Sequence, residues 1–344
     1  MSNESDVRNL TDIESPSAYP IDGEIDRAVV LTTLITVSLI SIIMHILFLK
    51  AIRSYCSWDS GFSFTLLFLI SFNALLYFLS QFIALAIASS NLDEDHYYRL
   101  YRILGTLLLI PYFIMVALHV FLALHRFFYT VLPVQAKRFL RRPILKGCIT
   151  FVIFYYIILF GLTQSDYMGT IFDPEYLFNF VLDLPYARDL LIMDTVSTYA
   201  NLIINIPIYV SIFVILYIRK NISCRTSKEI QMTAQVTDLT MEMTKHSIHA
   251  QKMLQISFMV ALELFFFYFW SFFIRNLTEL EVLLAQVTTM LYFDAVIVPY
   301  VVFNRNVRQN VFMCWKRKAS RVRNEIRVVP RTTVFTSFSH IRHC

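Results

Sequence analysis

Charge is scarce in this chain. Of 344 residues only 16% are Asp, Glu, Lys or Arg, where a soluble domain carries about 25%. Too little polar surface is left to keep an enzyme of this size in solution. Glycine and proline are also few, at 6 and 10, which excludes a fibrous, low-complexity or disordered chain. Apolar surface dominates instead, with 57% hydrophobic residues and a mean hydropathy of +0.57. The composition is that of an integral membrane protein.

A helix needs about 20 apolar residues to cross a bilayer. Seven runs meet that need, at 28–50, 62–89, 103–125, 147–164, 196–218, 253–275 and 281–303. None alternates polar and apolar residues, so a β-barrel is excluded. The expected fold is an all-α membrane protein, a seven-transmembrane helix bundle. It divides into an N-terminal tail (1–27), the membrane domain (28–303) and a basic tail (304–344).

Orientation follows from the positive charges. The N-terminal tail and the second, fourth and sixth loops share 6 Lys and Arg, and the other faces carry 24. Acids outside the spans run the other way, 18 against 5. Basic loops stay on the cytoplasmic side, so the N-terminus is expected outside and the C-terminus inside, in a multi-pass plasma-membrane protein. The same placement turns the net charge of +5 into a lipid signature and argues against nucleic acid as a partner. No charged-then-apolar leader opens the chain, so the first span is expected to target it. Cys56, Cys148, Cys224, Cys314 and Cys344 all fall on or near the reducing side, and no structural disulfide is expected. Cys314, flanked by Arg308 and Lys316, suits palmitoylation or a free thiol. Asn3 and Asn9 are glycosylation acceptors in the outer tail. Asn221 is expected to stay bare, and Asn276 lies close to the bilayer.

Two acids lie inside spans away from their ends, Glu263 in the sixth and Asp294 in the seventh. A buried carboxylate there must be protonated, hydrated or paired, and no Lys or Arg lies mid-span. Each reads as part of a ligand pocket or ion site, or as a polar clamp between helices. Trp270 follows Glu263 by two helical turns and is a candidate ligand contact, as is Asn201 in span five. Pro111, Pro207 and Pro299 interrupt helical hydrogen bonding in three spans and point to a cavity or a bundle able to shift. His119 and His125 are six apart and share no helix face, so no metal site is expected. No nucleophile elbow or phosphate loop appears, and neither an enzyme nor a cofactor is expected.

At the inner end of span three the chain reads Leu124-His125-Arg126-Phe127, and Pro133 follows Arg126 by seven residues. This resembles the rhodopsin-like receptor signature, with His125 in place of the acid and Phe127 in place of Tyr. Span seven ends Val298-Pro299-Tyr300-Val301-Val302, similar to a degenerate Asn-Pro-x-x-Tyr motif. The substitutions and short loops resemble the nematode serpentine chemoreceptors. Three family features are missing: a Cys at the outer end of span three, a Pro in span six, and the Asn of the seventh-span motif.

The resemblance implies a chemosensory receptor, with a small-molecule ligand outside and a heterotrimeric G protein inside. Arg126, Pro133 and Lys245 would serve coupling. With no neighbouring acid, Arg126 is left to polar groups of span six or is freer than usual. The basic stretch 304–327, with Val307, Val311, Phe312 and Trp315, reads as an interfacial eighth helix. The alternatives are a peptide or amine receptor of the same architecture, or a transporter or channel.

Overall fold

The computed structural model describes residues 27–53, 62–90, 94–132, 134–136, 140, 142–230, 257–258, 261–262, 264–266, 268–270 and 279–303. In chain order the elements are α1 (Arg27–Ile52), α2 (Phe62–Ala88), α3 (Glu94–Val131), α4 (Arg142–Thr163), β1 (Thr170–Asp173), β2 (Phe178–Val181), α5 (Ala187–Ile230), α6 (Glu279–Asp294) and α7 (Ile297–Phe303). The described parts of 257–270 are helical.

Five helices among the described residues, α1 to α5, are long and apolar enough to cross a membrane. Their exposed faces are apolar: Ile153, Phe154 and Ile157 on α4 and Ile203 on α5 project outward. Water would penalise such faces and lipid does not, so the bundle is membrane-embedded. Helix α3 is central and touches α2, α4, α5 and both strands. Side chains such as Leu34, Phe48, Leu66, Phe78, Phe113 and Leu122 close the core between α1, α2 and α3.

Helices α3 and α5 run on through Pro111 and Pro207, and the non-helical backbone inside α3 lies at Tyr97, far from its proline. Asn73 on α2 donates to the Pro111 carbonyl at 2.7 Å and pins the two helices at that level. Pro299 behaves differently. It has no N–H to offer the carbonyl of Ala295 four residues back, and the helix breaks there into α6 and α7.

Between α4 and α5 the chain forms an antiparallel hairpin, with Thr170 opposite Val181 and Asp173 opposite Phe178. Its turn is set locally: Asp173 Oδ1 accepts from the backbone N–H groups of Glu175 and Tyr176 at 2.8 and 3.1 Å, an Asx turn. Leu177 completes the reversal with φ of 53°.

The hairpin lies directly on α3. A Cβ placed on Gly105 would come within 2.8 Å of the Ile171 backbone and 2.7 Å of Asn179 Oδ1. Only a residue without a side chain allows that approach. Arg102 donates to the carbonyls of Thr163 and Ser165, and Gln164 Nε2 donates to Thr106 Oγ1 at 2.7 Å. At the tip, Arg27 donates to Pro174 and Ala88 carbonyls at 3.1 and 3.3 Å. These contacts hold the loop against α3 and tie its tip to α1.

Candidate functional site

Under the hairpin sits a cavity of about 270 Å³, walled by α2, α3, α5, the 266–270 stretch, α6 and both strands. That size is just below the roughly 300–1,000 Å³ of sites for drug-sized molecules. One wall is aromatic, built from Tyr112, Phe266 and Trp270. Phe266 stacks on Tyr292 with centroids 4.4 Å apart, which fixes the ring. The polar groups are spaced around it. Asp194 and Thr198 come from consecutive turns of α5, Gln81 from α2, and Thr170 and Asn179 from the hairpin.

The Thr198 hydroxyl donates to the Asp194 carbonyl at 3.0 Å. Its contact with Tyr112 Oη at 2.5 Å is therefore made by the tyrosine proton. A phenol has one proton, and Thr198 takes it. On the far side, Gln81 is fully buried and neither amide atom has a protein partner. The same holds for Thr170 Oγ1, Asn179 Oδ1 and the Trp270 indole N–H.

A second polar cluster is buried and bonded within itself. Asp294, at the end of α6, accepts from Ser41 at 2.7 Å through Oδ2 and meets His45 Nε2 at 3.0 Å through Oδ1. His45 Nδ1 meets Ser71 Oγ at 3.0 Å. The imidazole is fully buried and the carboxyl nearly so. Three segments distant in sequence, α1, α2 and α6, are thus tied by one histidine.

The third feature is Arg126 near the end of α3. Its Nη2 donates to Tyr300 Oη at 2.6 Å. The guanidinium also lies 5.4 Å from the ring centre of Tyr300 and 6.0 Å from that of Tyr209 on α5, both within cation–π range. Beside it, His125 is buried and stacks on Phe62 of α2 with centroids 4.9 Å apart and planes 3° from parallel. His125 is therefore an aromatic contact to α2. Among the described residues, Arg126 donates to α7, at Tyr300 next to Pro299.

Of the candidate ligand residues, Trp270 lines the cavity. Asp294 stands in the histidine cluster, and Asn201 is buried with its Oδ1 accepting from Asn205 at 2.7 Å. Neither is among the residues that wall the cavity. Glu263, Pro133, Lys245, Cys314, Asn3, Asn9 and Asn276 lie outside the described residues. Sequence reasoning missed Gln81, Tyr112, Asp194 and the hairpin pair Thr170 and Asn179. Gln81 carried a signal, an amide inside an apolar run whose only other amide is Asn73. Asp194 looked like one more acid of an outer loop, because the apolar run begins only at 196.

No family model matches the chain, and no curated protein matches it either.

Proposed function

We propose that the chain is a seven-transmembrane chemosensory receptor that binds a small molecule from outside and activates a heterotrimeric G protein inside. The observation that carries this reading is the separation of two built sites on one central helix. The cavity meets α3 at Leu108 and Tyr112, and Arg126 lies 14 to 18 residues further on. At 1.5 Å per residue that is roughly 21–27 Å along the helix, most of a bilayer core. A ligand site at one end and a caged arginine at the other are what a transmembrane signal needs.

In this reading the 253–275 segment is the sixth span, and α6 with α7 forms the seventh. The N-terminal tail is extracellular and carries glycans at Asn3 and Asn9. The basic loops and tail are cytoplasmic, with the eighth helix and Cys314 at the inner leaflet. Arg126, Pro133 and Lys245 face the G protein. Release of Arg126 from Tyr300 is the event that ligand binding would favour, because ligands act only by preferring one of two states.

The test is heterologous expression with a G-protein readout and a panel of volatile and water-soluble small molecules. The reading expects a response that disappears in Arg126→Ala while surface expression is kept. Ion flux without ligand, and no G-protein response to any compound, would refute it in favour of a channel or transporter.

A further inference from the structure

We infer that the cavity under the hairpin takes a small aromatic amine, a flat apolar body with a cationic head, and that Asp194 is the counter-charge for that head. The inference rests on the cavity being a ligand site, as proposed above, and not on G-protein coupling.

The charge argument comes first. Asp194 is the one charged side chain among the described residues that wall the cavity. No cationic side chain joins it there, and the Tyr112 proton goes to Thr198. An anionic ligand would meet repulsion in a setting that strengthens electrostatics. A metal ion is a poor fit, since Ca²⁺ and Mg²⁺ require six or more oxygen ligands, commonly with several carboxylates. A single carboxylate beside a hydroxyl suits an ammonium group, which brings its own donors.

The shape argument is independent. Tyr112, Phe266 and Trp270 line one interior, which suits a planar apolar body and sets aromatic rings where cation–π attraction for the head is available. The volume of about 270 Å³ restricts that body to one ring or a fused pair. At the α2 and hairpin side, the Gln81 amide, Thr170 hydroxyl and Asn179 carbonyl have no protein partner and are buried. They offer both donors and acceptors to a hydroxyl or ring nitrogen at the far end of the ligand.

The test uses the full chain purified in detergent and measures ligand-induced thermal stabilisation, with no G protein present. The probes share a body and differ in charge: 2-phenylethylamine and tryptamine against 2-phenylethanol and 3-phenylpropionate. The amines are expected to stabilise the protein, and the alcohol and acid are not at the same concentration. Asp194→Asn should weaken amine binding by roughly 10- to 100-fold, the scale of a lost charge-assisted contact. Asp194→Glu should restore part of it. Val181→Trp fills the cavity from the hairpin and should abolish binding with the carboxylate intact. The inference is overturned if the neutral or acidic probe stabilises equally, if Asp194→Asn binds amines like the wild type, or if neither amine stabilises the chain. Amines that stabilise the protein yet never signal in cells would instead count against the receptor reading and leave this one standing.

Discussion

Replacing His45 with leucine removes the group that balances Asp294. The carboxyl is then left with one donor, the Ser41 hydroxyl at 2.7 Å, in a site where little of it is exposed. Breaking a buried pair from one side costs about 3–5 kcal/mol, or roughly 6–20 °C in Tm at about 2–4 °C per kcal/mol. The opposite change leaves no carboxyl behind. Asp294→Leu keeps the His45 contact with Ser71 at 3.0 Å through Nδ1 and orphans two groups, the Nε2 ring nitrogen and the Ser41 hydroxyl, at about 1–3 kcal/mol each. The double variant His45→Leu/Asp294→Leu buries two apolar side chains and strands no charge, so it should be more stable than His45→Leu alone. Thermal unfolding of the three variants in one detergent measures the coupling directly. Costs that simply add, or a His45→Leu protein within about 2 °C of the wild type, would refute the claim that this histidine carries the carboxyl.

Two further predictions concern the hairpin and the arginine. Gly105→Val drives a side chain into the Ile171 backbone, so α3 and the hairpin must part, at a cost of about 1–3 kcal/mol. Chymotrypsin should then cut faster at the exposed Tyr167, and an unchanged rate would show that the hairpin is not seated on that glycine. Tyr300→Phe keeps the ring beside Arg126 but removes the acceptor at 2.6 Å, a loss of about 1.5–3 kcal/mol for a charged donor. Ligand-independent G-protein signalling should rise, and basal activity equal to the wild type at matched surface expression would count against the cage.

The first five spans were legible because apolar runs are contiguous, and their helical ends fall within a few residues of the runs for α1, α2 and α4. Helices α3 and α5 are longer than their runs. Polar residues end an apolar run but not a helix, and α5 begins at Ala187 with Asp194 turned toward the cavity. The hairpin was not foreseen: its strands are four residues each, and they depend on α3 as a platform. The need for a partner at Asp294 was readable from burial cost alone. Its identity was not, because a histidine carries no obligatory charge to mark it as a counter-group, and His45 lies 249 residues away. Arg126 was found from its motif, while Tyr300 sat unnoticed beside Pro299 as part of a degenerate pattern. Periodicity and charge report what each segment needs, and non-local pairing decides how the need is met.

Sidedness is the most direct test of the whole account, since a ligand site outside and a coupling site inside both require it. Intact cells expressing single-cysteine variants would be treated with a membrane-impermeant thiol reagent. The account predicts that Cys224 and a cysteine placed at Arg138 stay unlabelled until the cells are opened, while one placed at the exposed Glu175 of the hairpin labels at once. Tags at the two ends should appear on opposite faces. Labelling of the 126–146 segment from outside, or both tags on one face, would contradict the sevenfold crossing and the signalling role together.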